Sequence, residues 1–437
     1  MSFLPRRLSS LTLSLLLAAA PLALVNDARA ADCELFAAGQ QAGPPRVLSY
    51  RSRDHSCQGG PCFGLVLESR DGVPLLVYNL SADGLEGVDT LESFHAADGF
   101  GRAADVWAEW LGEGRDAIDA EFVEELNPQR LQTVVEPVVN ISVADLLHER
   151  VVVLGAGFNY AAHAQEAGGG EMFLFAKPVV PTSAYSDLAH PGRDALLDYE
   201  VELGFVLLEE LDLGKIPAAG LLEKQLAWFT ANDLTDRNPL VLFGRRGAGD
   251  AKAGPGFFVA GPWMVHGGEL PLWPGNGEPR GLHMFTQVNE EGGARCAQSS
   301  NTGLMKNPPA AILRALSDRI ARDGHLAIAP ATLGGERRKF QLAVPARRRG
   351  WNTYVLPAGS VVLTGTPAGV AFQAPGLVRR VGYLFGALAT WTWPVRRAAL
   401  ASMLRHRDEL DYLAVGDRVE AGIELLGRQS FRITPGR

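Results

Sequence analysis

The sequence predicts an α+β fold that is mostly β, and three observations carry that expectation. From about residue 146 to 370, runs rich in β-branched and aromatic residues alternate with Gly- and Pro-containing breaks: VVVLGAGF, YEVELGFVLL, GFFVAGPW, HMFTQVN and GSVVLTGTP. Helical periodicity is clearest in a short region between Gly99 and Leu131, in AADVWAEWL and DAEFVEELN. The chain shows neither an internal repeat nor heptads, which sets aside solenoids and coiled coils.

In chain order, residues 1–30 come first. Arg6 and Arg7 precede an apolar run from about Leu11 to Val25, and Ala-Arg-Ala closes the segment. The run is short for a spanning helix, and a small-residue cleavage pattern follows it. We expect a secretory signal peptide cut after Ala30, giving a periplasmic or secreted protein. Residues 31–145 are expected to form a small N-terminal α/β module, in which RVLSYR, CFGLVLES and PLLVYNL are strands. The two helical segments follow them. Residues 146–437 form the main, strand-rich region. It carries two stretches that look inserted, about 320–356 and 371–412. The second contains VGYLFGALATWTWPV (381–395), fifteen residues without a charge. That is too short to span a bilayer, and it suits a helix packed on the body, a lid, or a peripheral membrane contact.

With 47% hydrophobic and 21% charged residues, the chain has ordinary globular composition and length for a large core. Its net charge of −8 becomes −10 once residues 1–30 are removed, so no basic bias points to nucleic acid. All four cysteines lie beyond the leader. In an oxidising compartment Cys57 and Cys62, in CQGGPC, can close a small disulfide loop, and a single C-x4-C pair is too little for zinc.

The chemistry-bearing residues begin at 198-DYEVELGFVLLEE-210. Asp198, Glu200 and Glu202 alternate, so a strand would turn all three to one face, where they repel one another and are costly to bury without a cation. Asp233 follows in TANDLTDR. Three carboxylates with no cysteine and no paired histidine favour a hard divalent cation, Mg²⁺ first and Mn²⁺ or Ca²⁺ next. The alternative is a solvated strand face. In GFNYAAHAQE, a helix starting near Tyr160 brings His163 and Glu166 onto one face, a pair suited to activating water. Lys177 and Lys252 each precede a proline-containing turn, and Arg237 closes the TDR segment. Thr364 and Thr366 sit at a strand-to-turn junction whose backbone N–H groups can hold an oxyanion. The GAGF and GGG runs lack the remaining residues of a nucleotide loop.

Taken in order, these segments resemble the fumarylacetoacetate hydrolase family: G-x-N-Y-x-x-H-x-x-E, K-P, D-Y-E-x-E-L, N-D-x-x-x-R, a lysine before F-F-x-x-G-P-W, and T-G-T-P-x-G-V. The series closes with 415-VGDRVEAGIELLG-427. The resemblance covers roughly residues 146–370 and 413–428 and implies a mixed β-sandwich roll. It implies Glu200, Glu202 and Asp233 as ligands of one divalent metal, His163 with Glu166 as the water-activating dyad, and Lys252 as a catalytic lysine. It further implies Tyr160, Lys177, Arg237 and Thr366 as substrate contacts, and Asp198 as a residue behind the ligands or in solvent.

In this family the metal chelates a 2-oxo or 1,3-dioxo acid, and metal and lysine stabilise the enolate left by C–C cleavage or decarboxylation. The resemblance thus implies a hydrolase, with a homodimer as the usual assembly. The alternatives are an isomerase or hydratase of an oxo-dienoic acid, or a non-catalytic protein stabilised by its metal. The chain departs from the family at Leu240, where a glutamine commonly stands, in the two insertions, and in its export signal.

Overall fold

The computed structural model describes residues 33, 43–55, 57, 60–274, 278–290, 293–323, 328–348, 351–373, 395–407 and 410–436. The expected signal peptide lies outside these residues. So does the uncharged run 381–395, apart from Val395.

The described residues form an α+β fold dominated by mixed sheets. The largest sheet runs in the order Val123–Glu125, Val73–Asn79, Cys62–Arg70, Val47–Tyr50, Phe258–His266, Leu226–Asp233, Val201–Leu207, Val361–Leu363, Val153–Gly157 and Phe173–Ala176. Strands from the N-terminal region are therefore continuous with those of the main region, joined where Val47 pairs with Met264. Most neighbours are antiparallel, but Val361–Leu363 runs parallel to Val153–Gly157. A five-stranded sheet, Gly293–Asn301, His283–Glu290, Arg418–Ile423, Gly427–Thr434 and Leu188–Ala189, packs against it.

The central strand Val201–Leu207 is buried along its whole length. Leu203, Phe205 and Leu207 enter one hydrophobic cluster with Trp228, while Val206 on the other face joins Phe229 and Phe258. Burial on both faces accounts for the near-continuous apolar run in its sequence. The helix Gly99–Glu113 lays Ala103, Val106 and Trp107 on the second cluster.

The second expected helix, DAEFVEELN, does not form. Its middle is a 3₁₀ turn, Ala120–Phe122, followed by the edge strand Val123–Glu125. Phe122 and Leu126, four apart, fit either period, and pairing with Val73–Asn79 decides the outcome. Glu124 turns inward there and accepts hydrogen bonds from Tyr50 Oη (2.9 Å) and Asn79 Nδ2 (2.9 Å).

The first insertion, about 320–356, takes in the end of helix Pro309–Asp323 and two hairpins, Ile328–Leu333 with Glu336–Gln341 and Val344–Arg348 with Trp351–Leu356. The first hairpin braces residues 244–251: Thr332 Oγ1 donates to Asp250 Oδ1 (3.0 Å), and Arg337 pairs with Asp250 (3.2 Å). From the second insertion, helix Val395–Arg405 lies on helix Arg237–Phe243, where Arg396 Nη1 donates to Leu242 O (3.2 Å). Among the described residues no helix is long and apolar enough to cross a membrane. Two disulfides are present, the expected Cys57–Cys62 and a long-range Cys33–Cys296 that the sequence did not reveal.

Candidate active site

Antiparallel pairing assembles the acid cluster. Val201 lies opposite Asn232, so Glu200 meets Asp233 one step further on, and Asp233 N donates to Glu200 O (2.8 Å). Glu202 is on the same face as Glu200, two residues along. One oxygen from each of Glu200, Glu202 and Asp233 can be chosen so that all lie within 4.8 Å of one another, and all three side chains are buried.

Three cations share this interior. Lys252 Nζ bridges Glu200 and Asp233 and also donates to Thr235 Oγ1 (3.0 Å). Lys177 Nζ pairs with Asp233 (2.6 Å) and donates to Lys252 O (2.7 Å). Arg237 pairs through Nη2 with Glu200 (2.6 Å) and through Nε with Asp198 (2.7 Å). Burial opposes the charge on Glu200, but Lys252 and Arg237 more than offset it and hold its carboxyl well below the usual range. Glu202 is the reverse: burial, with Asp233 beside it, pushes its carboxyl well above that range. Burial also lowers the Lys177 ammonium, whereas Asp233 and Glu200 overcome burial and raise Lys252.

The residues present fit a divalent cation. Four carboxylates (Asp198, Glu200, Glu202, Asp233) face three cations (Lys177, Arg237, Lys252), and Glu202 pairs with none of the three. An all-oxygen donor set in which one buried acid, Glu202, lacks a cationic partner is the chemistry a hard cation takes.

Of the two places expected for Asp198, behind the ligands or in solvent, it takes the first. It is fully buried and accepts hydrogen bonds from Tyr199 N (2.8 Å), Ala371 N (2.9 Å) and Phe372 N (3.0 Å), besides pairing with Arg237. The chain returning at 371–372 is what covers it.

His163 and Glu166 lie on the short helix Ala161–Glu166, which begins at Tyr160 as expected. His163 Nδ1 is 3.7 Å from Glu166 Oε2, an ion-pair distance rather than a hydrogen bond. Glu166 is held instead by Gly369 N, at 3.0 and 3.1 Å from its two oxygens. The N–H of Gly365 donates to Glu202 Oε2 (2.7 Å). Two N–H groups of the threonine–glycine junction are thus already engaged by acids, and the turn ties the dyad to the acid cluster. Gly365 has φ +99°, a conformation that favours glycine.

These groups open onto a cavity of about 270 Å³ lined by His163, Glu200, Glu202, Arg237, Lys252 and Thr366. Phe158, Phe173, Phe175, Leu240 and Phe372 form its apolar wall. Cβ atoms on Gly155 and Gly157 would run into the Phe175 and Phe173 rings, so the GAGF glycines make room for these phenyl groups. Two expected substrate contacts do not line the cavity. Lys177 is sealed beneath Asp233, and Tyr160 is buried with its hydroxyl 3.3 Å from Met284 Sδ.

Gln298 went unremarked in the sequence. It is fully buried, and its Nε2 donates to Thr366 Oγ1 (2.8 Å) and Pro367 O (3.0 Å). Its Oε1 accepts from Thr286 Oγ1 (2.9 Å) and Val201 N (3.1 Å). Gln298 therefore fixes the junction to the acid-bearing strand. A glutamine among the small residues of CAQSS, inside the strand Gly293–Asn301, was the available signal.

Comparison with known proteins agrees with this architecture. A fumarylacetoacetate hydrolase from the psychrophile Exiguobacterium antarcticum is similar at 18% identity and a TM-score of 0.51, with 90% of this chain and 99% of that one covered. A probable 2-hydroxyhepta-2,4-diene-1,7-dioate isomerase from Mycobacterium abscessus matches at 18% identity and a TM-score of 0.50, again covering 90% and 99%. At such identities the likeness speaks for the fold. A search of curated sequences finds no match. The family model described as fumarylacetoacetate (FAA) hydrolase C-terminal matches residues 152–434, nearly all of the main region, and the chain belongs to the fumarylacetoacetate hydrolase family.

Proposed function

We propose that the protein is a metal-dependent hydrolase that cleaves a C–C bond in, or decarboxylates, a 2-oxo or 1,3-dioxo acid. The observation that carries this reading is a single cavity faced by a histidine, two metal-ligand-type carboxylates, three cations and a threonine. Glu200, Glu202 and Asp233 would hold the cation, Mg²⁺ in first place, which supplies Lewis acidity toward carbonyl oxygens.

The protein's own groups do the rest. His163, beside Glu166, takes a proton from water, and the 3.7 Å gap between them is of the kind that tightens when substrate arrives. Arg237 offers positive charge at the cavity wall. In the ground state the three N–H donors of Lys252 are all engaged, so it reaches a substrate oxygen by exchanging one of its present partners. Thr366 is positioned by Gln298 and Val201 to contact substrate with little loss of freedom. We further propose export through the leader with cleavage after Ala30. Two disulfides among the described residues support an oxidising compartment.

The test is a Mg²⁺-supplemented screen of the mature chain against acylpyruvates and oxaloacetate. His163→Ala is expected to lower turnover about 10²–10⁴-fold, and Glu200→Ala is expected to weaken cation binding as well. Unchanged turnover in both variants refutes the reading. Product masses separate cleavage, which gives two fragments, from isomerisation, which leaves the mass unchanged.

A further inference from the structure

We infer that Arg245 anchors a second, distal carboxylate of the substrate, so that the cavity takes an oxo diacid with an apolar middle. This rests on the proposed function, in which the acid cluster receives the 2-oxo acid end.

The cations around the cavity differ in how far they are neutralised. Arg237 is paired with Asp198 and Glu200, and Lys252 with Glu200 and Asp233. Arg245 also lines the cavity but is solvent-exposed, and among the described residues it has no carboxylate partner. It is nevertheless placed. Its guanidinium lies 5.3 Å from the Phe158 ring centroid and 5.0 Å from that of Phe173, two rings that themselves meet edge to face. Stacking on two aromatic faces restricts the side chain while leaving its N–H fork free, which is how arginine presents itself to a planar carboxylate.

Neighbouring features agree. A Cβ on Gly170 would run into Arg245, so the last glycine of the GGG run leaves the guanidinium its place. Phe158 holds φ +66°, an uncommon conformation for a non-glycine residue at the wall of the cavity. Leu240, where the family commonly has glutamine, offers a ligand only apolar contact. The lining thus reads, from inside outward, as acid cluster, phenyl and leucine wall, and one unneutralised cation.

The experiment is calorimetric titration of the mature, oxidised chain in Mg²⁺ with three matched pairs of ligands: 2-oxoglutarate and 2-oxopentanoate, 2-oxoadipate and 2-oxohexanoate, 2-oxopimelate and 2-oxoheptanoate. At one chain length at least, wild type should bind the diacid about tenfold or more tightly than the monoacid, the discrimination expected of a charge-assisted hydrogen bond. Arg245→Met should abolish that preference, and Arg245→Lys should retain part of it. Gly170→Ala, which displaces the guanidinium, should reduce it. A wild type without preference at every length, or an Arg245→Met variant that keeps it, overturns the inference. Repeating the titrations with chelator isolates the underlying reading. Loss of affinity for both members of a pair supports a cation at the acid cluster. Affinities that stay unchanged for both members remove the cation reading, and a diacid preference intact among them leaves the Arg245 anchor standing.

Discussion

Removing the Asp198 carboxylate tests whether the acid cluster is held from behind by this residue. Asp198 accepts from Arg237 Nε, Tyr199 N, Ala371 N and Phe372 N, and no part of it reaches solvent. Breaking a buried ion pair from one side destabilises by about 3–5 kcal/mol. Arg237 keeps Glu200 at 2.6 Å, so the lower end applies to the pair itself. The N–H groups of Ala371 and Phe372 each add about 1 kcal/mol where water can reach them at the cavity rim. Asp198→Ala should therefore lose about 5 kcal/mol, a large part of a typical domain's stability. Asp198→Asn keeps the shape and one acceptor oxygen but not the charge, and should lose about 2 kcal/mol. Urea unfolding of the oxidised chain, read by far-UV circular dichroism, gives both values. Losses under about 1 kcal/mol in both variants, or equal losses in the two, would refute the reasoning. Because Phe372 lines the cavity, both variants should also raise KM in any turnover assay.

Gln298→Ala strands Val201 N and frees Thr366, so it should lower stability by about 2–3 kcal/mol in guanidinium unfolding. Loss below 1 kcal/mol would mean that the threonine turn is held by other contacts. The two disulfides should differ. Loop-closure entropy gives about 6 kcal/mol for Cys33–Cys296, with a sequence separation of 263, against about 2 kcal/mol for Cys57–Cys62, with a separation of five. Paired Cys→Ser variants compared by thermal unfolding should follow that order, and the reverse order would contradict it.

The family motifs were legible because each is a short local segment with its own spacing, and the strand–turn signals around them mark the sheet. Position 161–166 is helical as its pattern implies, and Glu200, Glu202 and Asp233 converge because strand pairing puts them together. Other features depend on contacts far along the chain. The choice for Asp198 between a place behind the ligands and one in solvent stays open until residues 371–372 return over it, and Gln298 means nothing until the 364–367 junction arrives. The Cys33–Cys296 link joins segments with no common local pattern, and pairing among four cysteines does not follow from sequence. DAEFVEELN shows the opposite limit: an apolar spacing that suits two periods is decided by the neighbouring edge strand. Tyr160 and Lys177 carry motif letters, yet they pack behind the cavity wall.

Lys252 and a divalent cation at the acid cluster would compete for the same oxygens. Its ammonium bridges Glu200 and Asp233, two of the three acids that would ligate the ion. Replacing Lys252 by methionine removes one positive charge from beside Glu200 and Asp233 and makes the acid cluster one unit more negative. At about 4 Å and an effective dielectric of about 20, one unit charge changes the electrostatic energy of another by about 4 kcal/mol, and by more for a divalent ion. Relaxation and water entry reduce this, so a gain of about tenfold or more in Mg²⁺ affinity is a conservative expectation. Lys252→Met should therefore bind Mg²⁺ more tightly by calorimetry. In the absence of cation it should melt lower than wild type, because it buries two acids without their partner. Added Mg²⁺ should raise its melting temperature further than that of wild type. A variant that folds by circular dichroism yet binds Mg²⁺ more weakly would show instead that Lys252 organises the ligands rather than competing with the ion.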